Sequence, residues 1–287
     1  IAFIIAGTAL PVISAAGPVT WPVLGTLQPW QQMFVYVGAP GLLVALLILT
    51  IREPVRRDRL LATDAAMKRA SPLWATLQFV LQRWRTYIVL FLGLSVLAVM
   101  AYGIGFWIPE FLRRTYGLDD EAFGYWIRWR GVVYIVFGIL GVITGGWLCD
   151  VMRRRYSDGY VRVCLIGFVI MTVGYTTFAL MPTPGLAIAM LIPAVFGSAV
   201  PTSAGAAAVI AIAPPNMRAQ ITAVYYFTLN LVGLFIGPTA VALMTDYYFK
   251  AEDQLRYSLA VVAFIAAVIG TVLLVINLKP YRRSAEE

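Results

Sequence analysis

The 287 residues are 61% hydrophobic and only 13% charged, where a soluble domain has about 45–50% and about 25%. So much apolar surface excludes an ordinary water-soluble fold. The net charge of +8 does not point to nucleic acid, because the basic residues cluster in short segments between apolar runs, as on one face of a membrane.

In chain order, apolar runs of spanning length cover residues 1–24, 31–51, 86–109, 125–149, 161–181, 185–213, 220–244 and 257–278. A helix crossing about 30 Å of hydrocarbon needs roughly 20 such residues. The apolar residues do not alternate, which disfavours a barrel. The expected fold class is therefore an all-α polytopic membrane protein with about eight transmembrane helices. Gln28-Pro29-Trp30 marks the break between the first two runs, with proline as punctuation and tryptophan suited to the interface. The chain opens on Ile1 inside an apolar run with no basic stretch before it, so it reads as a fragment of a longer protein rather than as a signal peptide.

Residues 52–85 form the one long connection, with the look of a hinge between two halves. Arg52-Glu53-Pro54-Val55-Arg56-Arg57 is polar and broken by proline, and Ser71-Pro72 reads as a helix start. Leu73, Leu77, Val80, Leu81 and Trp84 then recur at helical spacing. The expectation is an amphipathic helix on the inner leaflet, its basic residues toward anionic headgroups. Placing this segment in the cytoplasm puts 16 of the 22 basic residues in inner loops and 4 in outer ones, a positive-inside distribution that also leaves the C-terminus inside. All 14 acidic residues lie in loops or at span ends, none at mid-membrane. Cys149 and Cys164 sit near span ends and histidine is absent, so neither a disulfide framework, a metal site nor another cofactor is expected.

Several faces can line a pathway. Thr222, Tyr226, Asn230, Gly233 and Gly237 fall within one narrow arc of a helix. An asparagine in hydrocarbon must find a partner in a neighbouring helix or in a water-filled cavity. Asn230 and Tyr226 are thus candidates for solute contact, and close packing around the two glycines is the alternative. Pro193, Gly197, Pro201 and Ala204 share a face of the span 185–213, where proline bends can serve gating. Tyr102 and Phe106, four residues apart, can wall a cavity or simply pack. Gly138, Gly141, Gly145 and Gly146 are expected at close helix approaches. Arg130 lies 20 residues, or about 30 Å, before Asp150, so it is expected at the outer boundary and not deeply buried. Arg128 and Arg130 point to nearly opposite faces. One is expected to snorkel to headgroups, the other to meet an anionic solute or an acid such as Glu110.

Two spans before a long basic loop and six after it resemble the major facilitator superfamily, built from two six-helix bundles. The stretches "VGAPGLLVALLILTIREPVR" (Val37 to Arg56), "FWIPEFLRRTYGL" (Phe106 to Leu118) and "PPNMRAQITAVYYFTLNLVGLFIGPTAVALMTDYYF" (Pro214 to Phe249) are similar to its spinster-like branch. The resemblance implies helices five to twelve of twelve. Residues 1–51 would end the N-terminal bundle, 52–85 would link the bundles, and 86–287 would form the C-terminal bundle, with the missing N-terminal helices as partners. It also implies alternating-access transport, coupled to protons, of a small or lipid-like organic solute across a bacterial inner membrane.

The family's loop motif between helices eight and nine, Gly-x-x-x-Asp-Arg-x-Gly-Arg-Arg, is partly kept as Gly146, Asp150, Arg154 and Arg155. Val151 and Arg153 depart from it. These four residues, with Pro201, are the expected gating set, Asp150 facing a helix N-terminus to latch the inner side; a solvated basic loop is the alternative. A transporter-like solute sensor stays in view as another class. A lipid-modifying membrane enzyme would need a convergent catalytic cluster, which no segment supplies.

Overall fold

The computed structural model describes residues 2–21, 25–50 and 73–286. The elements are helix α1 (Ala2–Ala16), strands β1 (Val19–Trp21) and β2 (Gly25–Leu27), α2 (Pro29–Ile48), a short α3 (Leu73–Gln82), α4 (Trp84–Tyr116), α5 (Asp120–Arg153), α6 (Gly159–Thr177), α7 (Pro184–Ile212), α8 (Arg218–Leu243) and α9 (Leu255–Glu286). Among the described residues, seven helices are long and apolar enough to cross a membrane.

The run expected over residues 1–24 accounts for the difference from the expected count of about eight. Residues 1–24 are not one span: α1 ends at Gly17, in the left-handed region at φ 68°, whose N–H donates to the Ile13 carbonyl at 3.1 Å. Glycine is the residue that closes a helix in this way, and Pro18 follows it. The apolar residues beyond Gly17 form an antiparallel hairpin, with Val19 opposite Leu27.

The elements group into two compact units, residues 1–69 with 117–132, and 70–116 with 133–287. In the first, the buried Gln32 side chain donates to the carbonyls of Gly17 and Leu27 at 2.9 and 3.0 Å, fixing the hairpin to α2. Pro29 starts α2, and the Gln28 N–H donates to Gln31 Oε1 at 2.8 Å in a capping arrangement. Gly7 of α1 lies against Gly124 of α5, where a β-carbon would stand 2.6 Å from the Gly124 oxygen. The far end of α2 exposes Leu42, Leu43, Leu46, Leu47 and Leu49.

In the second unit, α4 packs on α8 and α9, and α6 packs on α7 and α9. Its helix boundaries follow from local chemistry. Thr183 accepts from Leu186 N–H ahead of Pro184, and Pro214-Pro215 stop α7 by withholding donors. The helix α8 continues as a π-helical turn over Met244–Phe249, closed by Lys250 at φ 56°. The amphipathic segment is present as α3, but its expected start at Ser71-Pro72 and the polar run 52–57 lie outside the described residues. The helix buries Thr76 and Val80 while Leu73 and Leu81 stay exposed, and the Thr76 hydroxyl donates to Gln220 Oε1 on α8. One polar contact thus turns the helix, so its apolar stripe is shared between protein and surroundings.

Candidate functional site

A cavity of about 400 Å³ opens between α4, α5, α7 and α8 of the second unit, lined among others by Tyr102, Tyr134, Ser198, Pro201, Thr202, Tyr225, Tyr226 and Asn230. Its size falls within the range for small-molecule sites. Tyr102 Oη donates to Asn230 Oδ1 at 3.1 Å, and Asn230 Nδ2 donates to the Tyr226 carbonyl at 2.8 Å. The asparagine is thereby held by its own helix and by a facing one. Apolar walls come from Leu94, Leu97, Ala98 and Leu229. A rim of hydroxyl and amide groups beside an aliphatic wall suits a solute with one polar end and one apolar end.

Glycine geometry explains why these side chains meet. A β-carbon on Gly233 would stand 2.6 Å from Ala98 Cβ and 2.9 Å from Tyr102 Cδ2, and one on Gly237 would stand 2.7 Å from the Val99 oxygen. The two sequence-level alternatives for this helix therefore hold together: Gly233 and Gly237 pack against α4, while Tyr226 and Asn230, on the same helix, line the cavity. Pro201 does two things as well, since its ring rests where a β-carbon on Gly167 would be and it also lines the cavity.

The other expected residues are placed differently. Phe106, one turn beyond Tyr102, is 67% exposed and contacts Trp107 edge-on at 5.7 Å, outside the lining. Arg130 belongs to the first unit and is 2% exposed, against the expectation of a shallow position. The reason is the face it occupies: Arg130 continues the buried stripe of Phe123 and Ile127 on α5, whereas Trp129, one residue earlier, is 44% exposed. Arg128 lies over the Tyr125 ring at 5.5 Å. Glu110 is engaged by Arg114 at 2.5 Å. Gly141 and Gly145 meet α7 closely, whereas Gly146 has nothing within 4 Å of a β-carbon position.

At the opposite end of α5, Asp150, Arg154 and Arg155 are exposed, and among the described residues Asp150 forms no ion pair. The buried carboxylate of this loop is Asp158, with no exposed surface. It accepts from Arg162 Nε at 2.7 Å and from Arg282 Nη2 at 2.8 Å, tying the start of α6 to the last turns of α9. Burial by itself raises the Asp158 pKa, but the hydrogen bonds and charges of Arg162 and Arg282 outweigh it and hold the carboxyl below the ordinary value. Nearby, Tyr281 Oη donates to the Ala208 carbonyl of α7 at 2.9 Å.

Sequence reasoning passed over Tyr134, Ser198, Thr202, Tyr225 and Asp158. Ser198 and Thr202 stand four apart on a largely apolar helix, Asp158 and Arg162 stand four apart at the start of α6, and those spacings were the available signals.

The sequence profile described as Major Facilitator Superfamily matches residues 1–238. The chain is 25% identical over 247 residues to an "MFS-type efflux pump" of Mycolicibacterium smegmatis, covering 83% of this chain and 53% of that protein. It is 23% identical over 172 residues to "Protein spinster" of Drosophila melanogaster, covering 56% of this chain and 27% of that one. Among solved structures, a bacterial homologue of the human lysosomal transporter Spinster, inward-facing and unoccupied, superposes with a TM-score of 0.63 at 22% identity, covering 100% of this chain and 65% of that chain. Its occupied form gives a TM-score of 0.60 at 21% identity, covering 99% and 66%. The chain spans about half the length of the efflux pump that it matches.

Proposed function

The chain belongs to the Major Facilitator Superfamily, and from that premise we propose that this integral membrane protein is part of a secondary active transporter of the spinster-like branch, moving a small amphipathic organic solute by alternating access. The observation that carries the reading is the cavity in which Tyr102 and Asn230 join across two helices beside an aliphatic wall. A site that binds at mid-bundle and is opened to either side by rocking of two bundles is the general arrangement of such carriers. Residues 1–51 are assigned to the N-terminal bundle and 86–287 to the C-terminal one, joined by the cytoplasmic segment 52–85. The exposed apolar face of α2 is then the surface on which further helices of the N-terminal bundle sit. Transport is coupled to protons. Because the apolar runs of the sequence carry no acid at their centres, the coupling carboxylate is assigned to those further helices.

In this reading Asp158 braces the inner ends of α6 and α9 so that they move as one body, while Asp150, Arg154 and Arg155 face the inner surface and Gly146 and Pro201 give their helices room to bend. Uptake into proteoliposomes containing the full-length protein tests the assignment. Saturable flux of an amphipathic solute that follows an imposed proton gradient is expected. Asn230→Ala is expected to weaken solute affinity about five- to tenfold, the effect of one hydrogen bond of about 1 kcal/mol, with thermal stability unchanged. Tight binding without flux would mean a sensor instead.

Orientation is proposed from charge, with residues 150–162 and the C-terminus in the cytoplasm of a bacterial inner membrane. Glu121 lies in the first turn of α5 and Ser157 just beyond its end, and the helix of 34 residues is about 51 Å long, ample to cross a bilayer. Cysteines introduced at Glu121 and Ser157 should label from outside and inside respectively, against little background, since Cys149 and Cys164 are buried. Labelling of both from the same side would overturn the topology.

A further inference from the structure

Away from the transport cavity, a cleft of about 700 Å³ lies where the start of α4 meets the end of α9, lined by Trp84, Arg85, Ile276, Lys279 and Arg283. It is a built surface. The buried Asn277 donates to the carbonyls of Arg85 and Thr86 at 3.1 and 2.8 Å, and the Thr86 and Ser284 hydroxyls are 3.1 Å apart. These bonds hold the two helix ends together and so hold the cations on them at one place.

Arg83, Arg85, Lys279 and Arg283 line the cleft, and among the described residues no carboxylate does. Arg85, Lys279 and Arg283 are all exposed, and among the described residues no carboxylate pairs with any of them. Glu286, the acid closest in sequence to Arg283, accepts from the Ser157 hydroxyl at 2.9 Å instead. Three cations fixed within one cleft repel each other, an arrangement stabilised when an anion enters. Arg85 also lies over the Trp84 ring at 5.5 Å, a pairing found where a protein meets the polar edge of a membrane.

What lies below the cations decides which anion fits. Ile276 opens the cleft, and Val272, Ile269 and Ile265 follow it on α9, all exposed and all within one narrow arc at helical spacing. From Ile276 to Ile265 is about 16 Å of helix, close to half of the roughly 30 Å hydrocarbon core. Ile269 and Ile265 go on to line an apolar groove of about 670 Å³ between α4, α8 and α9. A free phosphate would use the cations and leave this track unused, whereas a lipid uses both.

We propose that this cleft binds one anionic glycerophospholipid, its phosphodiester among Arg85, Lys279 and Arg283 and an acyl chain along Ile276, Val272, Ile269 and Ile265. The lipid sits outside the transport cavity and bridges the start of α4 and the end of α9. Its leaflet is the inner one if the charge-based orientation holds; the site itself does not depend on that orientation.

Native mass spectrometry of the full-length protein in detergent, titrated with phosphatidylglycerol or with phosphatidylcholine of the same chain length, tests it. One phosphatidylglycerol should be retained at concentrations where phosphatidylcholine is not. Removing a single cation in K279Q should weaken retention about fivefold, in line with the attraction of one basic residue at an anionic surface, and R85Q/K279Q/R283Q on the order of a hundredfold. R85K/R283K, which keeps the charge, should bind nearly as the unaltered protein does, and N230A, in the transport cavity, should leave retention unchanged. Equal retention of the two lipids, an unaffected K279Q, or displacement of phosphatidylglycerol by glycerol 3-phosphate would overturn the proposal, the last by revealing a site for soluble phosphate. Loss of lipid binding in N230A would identify the retained lipid as transport substrate and overturn it equally.

Discussion

Asp158→Asn is expected to loosen the start of α6 from the end of α9 and to lower thermal stability by about 1–3 kcal/mol, the cost of losing charge-assisted hydrogen bonds to a buried group. The carboxylate has no exposed surface, but its partners Arg162 and Arg282 are 35% and 48% exposed. Water therefore takes up part of what they lose, which keeps the cost below that of breaking a fully buried pair. The pH dependence has a definite sign. The native pKa is depressed, so the stabilisation is complete above the unfolded value of about 3.9 and is lost as pH falls through the lower native value. Between pH 5 and 8 the contribution of this group is flat. Thermal unfolding of the unaltered and Asp158→Asn proteins should thus differ at pH 7 and converge at strongly acid pH. A difference that vanished at neutral pH would remove Asp158 from the stabilising contacts. Limited proteolysis gives a second reading, because cleavage after Arg282 or Arg283 should speed up in the variant as the end of α9 frays.

Gly237→Ala is expected to have a still larger effect on assembly. Its new β-carbon would lie 2.7 Å from the Val99 oxygen, 2.8 Å from the Gly103 nitrogen and 3.0 Å from Gly103 Cα. All three are backbone atoms, so no side chain can rotate away and α4 and α8 must separate. Overpacking of this kind costs about 1–3 kcal/mol and sometimes more. In a membrane, where helix association depends on close backbone approach rather than on hydrophobic exclusion, such a glycine contact is hard to replace. The separation also opens the Tyr102–Asn230 bond of 3.1 Å, two turns along the same interface. Reduced yield of monodisperse protein and lost solute affinity should therefore appear together. Gly146→Ala is the matched control, with nothing within 4 Å of its β-carbon position. It should leave stability unchanged or slightly higher, alanine being the better helix former by up to about 1 kcal/mol. Should Gly146→Ala slow transport without touching stability, Gly146 takes part in gating.

The sequence by itself determined that this is a helical membrane protein, where all but one of its spans run, and which helix carries the polar face of Tyr226 and Asn230. Those properties are local: hydropathy adds up along twenty residues, and helical spacing sets which side chains share a face. The break at Gly17 was legible in the same way, through glycine followed by proline, and was obscured by the apolar residues of the hairpin beyond it. Tertiary structure alone decided the partners. Asn230 meets Tyr102 across 128 residues and Asp158 meets Arg282 across 124, pairings that depend on how each helix is rotated and offset along its axis. Hydropathy carries no such information, because an apolar face turned to lipid and one turned to a neighbouring helix have the same composition. The choice between Asp150 and Asp158 shows the consequence. Both are aspartates near the same helix connection, but Asp150 still lies within α5, and only Asp158 sits at the start of α6, where the end of α9 arrives and brings Arg282 with it.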